Sequence, residues 1–448
     1  MILKGGWIVQ DYQRNIRDGA VVIEDSQIVD VGPTDEILRR HGGSGHDIID
    51  LEGKIVIPGI VNSHTHISMT LLRGYADDLL LQEWLEKHIW PYESLLTGED
   101  IELGAELGAL ESIASGVTSV CSMYHYHSDR NEATALLKVG LRGTIGIAIF
   151  TWDPEGSLRN FRDAVERYHG RDGLIRIASC PHAPYTVDPE LWKRSEELRL
   201  ELNSRYGDRG RIIVTSHIAE DWNEVSIVEE RFNVDIPQNS IMKYLEQLGV
   251  VSSDFLAAHG IHLNEVDIEV MKRYDVKVAH NPVANMKLGM GYADTPKLLN
   301  NGIKVSLGTD GPASNNTLDM IETMKFAALI NKPIKRDPRV TPANVVFRMA
   351  TEYGAINLGY DNLGKIMPGY LADIAIIDFN KPHLTPIYDV YSHLVYACRS
   401  SDVDTVIVNG KIVYESKEFI DINVYEVMDR VRKRSMELYK KVREVGSG

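Results

Sequence analysis

Hydrophobic and polar positions change rhythm twice along the 448 residues. Over residues 1–58, short β-branched runs alternate with polar turns. "GAVVIEDSQIVDVG" is two such runs joined by a polar turn, and "DIIDLEGKIVIPG" repeats the pattern around Glu52-Gly53, as short strands do. The same texture returns near the far end in "LADIAIIDF" and "DTVIVNGKIVYE". The second is bent at Asn409-Gly410, a dipeptide that favours a tight hairpin turn. Isolated hairpins are marginal in water, so residues 1–58 and 366–420 are expected to join into one small composite β-sandwich domain. The closing stretch, 421–448, has helical spacing and few breakers and predicts a C-terminal helix.

Residues 59–365 read differently. Eight short apolar runs, "GIVNSHTH", "VTSVCSMY", "GTIGIAIF", "LIRIASCP", "RIIVTSHI", "DFLAAHG", "VKVAHN" and "IKVSLGTD", alternate with helix-length stretches such as "DIELGAELGALESIAS" and "EATALLKVG". Strand–helix alternation argues for parallel strands, and eight units are the number that closes a (β/α)8 barrel. The expected fold is therefore α/β: a (β/α)8 barrel carrying a small β domain built from both chain ends.

Composition narrows the partners. The chain is 44% hydrophobic and 25% charged, ordinary for a globular protein, with a net charge of −16. Such an acidic surface repels phosphate backbones and anionic membranes. Cys121, Cys180 and Cys398 are widely spaced, without CxxC, which indicates neither a disulfide framework nor a thiolate metal knot. "MILKGGWIVQD" does not read as a signal peptide, and no apolar stretch approaches the roughly 18 residues of a membrane span. The chain is expected to be cytoplasmic and a homo-oligomer, acting on a small molecule and binding neither nucleic acid nor membrane.

Candidate chemistry concentrates at one place on this framework. In a parallel barrel, catalytic groups lie at the C-terminal ends of the strands. The first predicted strand ends in His64 and His66, the fourth in His182, the fifth in His217, the sixth in His259, the seventh in His280 and the eighth in Asp310. Residues i and i+2 of a strand share a face, so His64 and His66 point the same way. Alone, that spacing fits a ligand pair or a polar strand end bonded to backbone. Joined to His217 and Asp310, the pair completes three nitrogens and one carboxylate, a set suited to zinc or to iron(II) with a position left for water. Glu220, three residues after His217 in "SHIAE", is where a proton shuttle would reach both water and substrate. In "AAHGIHL", His259 ends the apolar run directly and is favoured over His262.

These stretches resemble the amidohydrolase superfamily, and most closely its branch of S-adenosylhomocysteine and 5′-methylthioadenosine deaminases within the cytosine-deaminase-like enzymes. The likeness spans nearly the whole chain, through "PGIVNSHTH", "MTLLRGYADDLLLQEWL", "PHAPY", "SHIAE", "HNPVANMKLG", "LGTDGPASNN" and "LGKIMPGYLADIAIID". The resemblance implies one divalent ion, zinc first and iron(II) second, on His64, His66, His217 and Asp310. It implies catalytic roles for Glu220, His259 and Asp310, and substrate contacts from Trp84, Glu93 and His182. Trp84 would cover the base or sugar, and Glu93 would accept hydrogen bonds from ribose hydroxyls. His125 and His127, a second pair of the same spacing, fall after the second strand, where the family has no ligand, and are expected to line the pocket or the loop above it. The implied activity is metal-dependent hydrolytic deamination of an aminated purine nucleoside of adenosine, 5′-methylthioadenosine or S-adenosylhomocysteine type, with release of ammonia. The alternative is hydrolysis of another aminated or chlorinated N-heterocycle, of s-triazine, guanine or pterin type, on the same site. Arginines that would receive an amino-acid carboxylate after the third strand are not clearly matched; Arg159 and Arg162 in "FTWDPEGSLRNFR" are merely nearby. A two-metal cyclic-amide hydrolase needs a lysine ending the fourth strand, and "LIRIASCPHAP" has none.

Overall fold

A computed structural model describes residues 1–43 and 45–445. The N-terminal strands are β1 (Ile2–Val9), β2 (Asn15–Glu24), β3 (Gln27–Pro33), β4 (Ile48–Asp50) and β5 (Lys54–Pro58). Eight parallel strands follow: β6 (Ile60–Thr65), β7 (Val117–Tyr124), β8 (Arg142–Ile149), β9 (Ile175–Pro181), β10 (Val214–Ile218), β11 (Phe255–His259), β12 (Lys277–His280) and β13 (Val305–Leu307). The chain closes with β14 (Ile374–Asp378), β15 (Val403–Val408), β16 (Lys411–Glu415) and β17 (Glu418–Phe419). Each of the eight apolar runs is thus a strand, neighbouring the next in sequence order.

Hydrogen bonds from loop and side chains draw β13 back to β6. The Asp310 N–H donates to the His64 carbonyl (2.9 Å), and the Thr309 N–H donates to Asn62 Oδ1 (3.1 Å). Asn62 Nδ2 in turn donates to Thr309 Oγ1 (2.8 Å). The seam of the barrel therefore runs through two of the site candidates. Helices between strands begin with side chains that satisfy their free N–H groups: Thr97 and Asp100 form a capping box, as do Asn131 and Thr134. Along the helix Gly98–Ala114, a Cβ on Gly104 would lie 2.2 Å from the Ser68 carbonyl oxygen. Its absence lets this helix press on Ile67–Leu72, the short 3-10 turn that follows His66.

Both chain ends meet in one nine-stranded mixed sheet, joined where β5 pairs antiparallel with β14. Apolar residues of β1, β2, β3, β5, β14 and β15 share a single core, Leu3, Val21, Ile28, Val56, Ile374 and Ile407 among them. The Asn409-Gly410 turn joins β15 to β16 with both residues at positive φ, as a tight hairpin needs. Around Glu52-Gly53 the pairing is not a hairpin: β4 and β5 both run parallel to β1, along successive parts of it. The helix Thr34–His41 also interrupts what reads as strand and turn. A bidentate pair fastens the sheet to the barrel, Arg142 Nε and Nη2 lying 2.8 and 2.9 Å from the Asp373 carboxylate, both residues buried.

The C-terminal helix is Val424–Val445; positions 446–448 of the predicted span lie outside the described residues. Arg434 binds Asp100 on the helix Gly98–Ala114 (2.5 and 3.0 Å). Tyr439 meets Tyr75, which packs on Tyr92. The end of the chain thus braces the segment that carries Glu93. Among the described residues no helix is long and apolar enough to cross a membrane.

Candidate active site

The strand ends converge on one cluster. His64 lies on β6, His66 just beyond it, His217 on β10, and Asp310 three residues past β13. Asp310 Oδ1 is 3.4 Å from His64 Nε2 and 3.2 Å from His66 Nε2. His217 Nε2 is 3.3 Å from His66 Nε2, and Glu220 Oε1 is 3.6 Å from His259 Nε2. The chain reaches this geometry through backbone that L-residues seldom adopt: Ala219 (φ 53°), His259 (φ 74°) and Asp310 (φ 64°) are all left-handed. Such conformations persist only where surrounding structure enforces them. All three lie at or just past a barrel-strand end beside the cluster.

The outer ring nitrogens fix which nitrogens face inward. His66 Nδ1 donates to the Met123 carbonyl (2.7 Å), and His217 Nδ1 donates to the His182 carbonyl (2.9 Å). In the neutral form both Nε2 atoms then carry lone pairs, and these face each other. Two acceptors at that distance need a positive charge between them. His64, fully buried, has no well-formed hydrogen bond at either ring nitrogen. His64, His66 and Asp310 offer ligand atoms within 4.8 Å of one another; so do His64, His217 and His259, and Glu220, His259 and Asp310. Nitrogen and carboxylate donors with carbonyl-anchored imidazoles are the chemistry of a divalent cation site. The residues present fit one.

Electrostatics carry the same message. Burial opposes charge on Asp310, but the His64 and His66 imidazoles beside it outweigh that and hold the carboxyl well below its usual range. Burial likewise opposes charge on His66, and the ion pair with Asp310 overcomes it, raising that imidazole to about 9. His64 is pushed down to about 4, burial being the main cause. The pocket therefore attracts one positive charge, supplied by a proton or by a cation. Glu220 is raised, chiefly by burial, which suits a carboxyl that must carry a proton.

Above the cluster lies a cavity of about 70 Å³, lined by His66, His217, Glu220 and Asp310 at its floor. Trp84, Glu93 and His182 all line it too. Trp84 is buried with its indole N–H given to the Ala76 carbonyl (3.0 Å), so it offers the pocket apolar surface rather than a donor. Trp84 stands on a four-residue helical turn, Leu81–Trp84, and Glu93 on another, Trp90–Glu93; the π-helical turn Leu85–Ile89 between them sets their relative rotation. His182 Nδ1 donates to Thr186 Oγ1 (3.0 Å), because that hydroxyl is itself donated to the Ala183 carbonyl. Its Nε2 is left as an acceptor. His125 lines the same cavity and touches Glu93 (3.3 Å), whereas His127 lies farther out.

Several supporting residues escaped sequence reasoning. His259 Nδ1 sits between the side-chain amides of Asn285 (2.9 Å) and Asn281 (3.3 Å). Glu224, buried and raised by that burial to about 8, accepts the Glu220 backbone N–H (2.9 Å). Both sets stand four residues apart, Asn281 with Asn285 and Glu220 with Glu224, a spacing that a single helical turn after a strand makes meaningful. His280, which ends β12, is not in the cluster; it is buried with both ring nitrogens free of protein partners.

His280 carries a pH prediction. Burial, helped by nearby His259, lowers it from 6.5 to about 3. The unfolded chain then takes up a proton near pH 6.5 that the folded chain refuses until about pH 3. Stability from this group is complete above pH 6.5 and is lost as pH falls through the interval toward 3. His182, also lowered to about 3, adds in the same sense. Thermal midpoints should begin to fall near pH 6.5, well above the carboxylate range. A midpoint that stays level down to about pH 4.5 would contradict the burial of these rings in their neutral form.

A parallel barrel that gathers imidazoles and carboxylates beneath a pocket defines a class, the hydrolases that activate water at strand ends. The chain belongs to the amidohydrolase family, whose pattern matches residues 55–413. It is 42% identical over 418 residues to a 5-methylthioadenosine/S-adenosylhomocysteine deaminase of Thermococcus kodakarensis, covering 92% of this chain and 93% of that one. It is equally 42% identical over 428 residues to a 5'-deoxyadenosine deaminase of Methanothermobacter thermautotrophicus, covering 94% and 95%. Among solved structures, an adenosine deaminase from Xanthomonas campestris with bound zinc is similar over 99% of this chain and 98% of its own, with 29% identity and a TM-score of 0.89.

Proposed function

We propose that this protein is a hydrolytic deaminase that replaces the 6-amino group of an adenosine-type nucleoside by oxygen and releases ammonia. One observation carries the reading: Glu220 and His259 face each other at 3.6 Å over the His64–His66–His217–Asp310 cluster, beneath a pocket whose wall holds Glu93. A divalent cation held by that cluster, zinc first and iron(II) second, would supply a water acidified toward neutral pH. Asp310, kept ionised by the imidazoles beside it, takes the proton of the attacking water. Glu220, protonated more readily for its burial, donates to the ring nitrogen next to the amino-bearing carbon and so makes that carbon electrophilic. His259 gives an Nε2–H to the oxygen forming there. The proton held by Asp310 passes to the amino group, ammonia leaves as the new hydroxyl becomes a carbonyl, and the hydroxyl's proton restores Glu220. Trp84 covers the base, His182 accepts at its edge, and Glu93 accepts from the ribose hydroxyls.

Hydrolysis of a free heterocycle such as an aminotriazine would use the same floor, but it offers no ribose hydroxyls to Glu93, which would keep only its contact with His125 (3.3 Å). Ammonia release from adenosine, 5′-methylthioadenosine, guanine, cytosine and aminotriazines tests the choice. Turnover of the nucleosides is expected, and none from any purine nucleoside would sink the reading.

A further inference from the structure

Beyond Glu93 the catalytic pocket continues into a second, outer chamber of about 680 Å³ that opens toward solvent. Trp90, Glu93, His125 and Phe150 line both spaces, so the two are contiguous. The chamber wall is aromatic: Phe150 stacks on Trp152 with ring centroids 4.1 Å apart, and Trp90 meets Trp152 edge-on at 6.2 Å. Trp152 is 61% exposed, an unusual position for a large apolar ring that packs on the mouth of a pocket. The carboxylates and guanidinium on this wall are few and mostly negative, and the imidazoles of His125, which meets Glu93 at 3.3 Å, and of His127 also line it. Asp153 caps the helix Pro154–Tyr168 through the Gly156 N–H (3.0 Å), and Glu93 stands at the threshold. Among the described residues Arg231 is the one arginine or lysine lining the chamber, and it already donates to the Tyr185 carbonyl (2.9 Å). Arg162 pairs with Glu201 on the outer surface, and Arg159 lines a separate groove there.

We propose that this outer chamber receives the 5′ substituent of the nucleoside, and that its Trp90–Phe150–Trp152 wall selects a short uncharged alkyl or thioether group over a zwitterionic amino-acid tail. The inference rests on the nucleoside reading above. With the reacting ring carbon over the cluster and the ribose hydroxyls at Glu93, the 5′ carbon stands at the threshold and its substituent enters the chamber. Thioether sulfur packs well against aromatic rings. A terminal carboxylate would instead face indoles, Asp153 and Glu93, with Arg231 committed to a carbonyl, His125 to Glu93, and His127 the remaining imidazole, and would leave water without full compensation.

The test compares kcat/KM for adenosine, 5′-methylthioadenosine and S-adenosylhomocysteine, using wild type, Trp152→Ala and Trp152→Arg. Wild type should favour the methylthio substrate over the amino-acid one by at least about tenfold, and Trp152→Ala should lower the methylthioadenosine-to-adenosine ratio by about tenfold. Trp152→Arg, placing a cation at the same rim, should raise the S-adenosylhomocysteine-to-methylthioadenosine ratio. Equal use of the two tailed substrates by wild type, or unchanged ratios in both variants while adenosine is deaminated, would overturn the chamber and leave the nucleoside reading standing. No ammonia from any of the three would overturn the nucleoside reading and the chamber with it.

Discussion

Glu220→Gln is expected to keep its divalent metal and to lose turnover by about 10³-fold, in the range for removal of a positioned acid–base group. The substitution is nearly isosteric, and Glu220, which meets His259 at 3.6 Å, is not one of the four residues assigned to the cation. Its backbone N–H bond to Glu224 is untouched. Because burial raises the Glu220 pKa, its ionised form is disfavoured in the fold. A neutral amide should therefore leave the thermal midpoint level or slightly higher. Metal analysis, a melting curve and steady-state kinetics on one preparation read all three quantities. Activity within tenfold of wild type, with metal in place, would remove Glu220 from the proton path and direct attention to His259.

That prediction was open to the sequence because its parts are local. A strand ending in His217 followed by Glu220 puts both groups at one barrel mouth whatever surrounds them, and the β-branched and apolar runs of β7 or β8 are hard to read otherwise. What sequence could not give is assembled from distant segments. The aromatic wall joins Trp90, Phe150 and Trp152 only after the barrel closes, because the loops past different strands must first become neighbours. The pairing of β4 and β5 with the same strand, β1, is likewise a choice among partners of similar composition. The π turn at Leu85–Ile89 is helical by propensity, and its extra residue is set by packing. The left-handed φ of His259 and Asp310 is a further case, since neither residue is glycine and tertiary contacts impose the conformation.

Asp310→Asn should have the second large effect, and the backbone makes it a clean test. Asn tolerates the left-handed region at least as well as Asp, so the φ of 64° is no obstacle. The amide oxygen can still accept the Gly311 N–H, which now binds Oδ1 at 2.8 Å. The bonds that hold the barrel seam here, Asp310 N–H to the His64 carbonyl and Thr65 Oγ1 to the Asp310 carbonyl, involve main-chain atoms of this residue and survive. What disappears is the carboxylate charge that sits 3.2–3.4 Å from two imidazoles. Divalent affinity is expected to fall by at least ~100-fold, by analogy with the losses that even outer partners of ligands cause. Turnover should fall by about 10³-fold or more, because the proton acceptor is lost as well. Equilibrium dialysis against zinc, paired with kinetics at saturating metal, separates the two losses. A variant that binds zinc as wild type does but turns over slowly would make Asp310 a base alone, with the cation resting on His64, His66 and His217. Retention of both properties would move the site away from the end of β13 altogether.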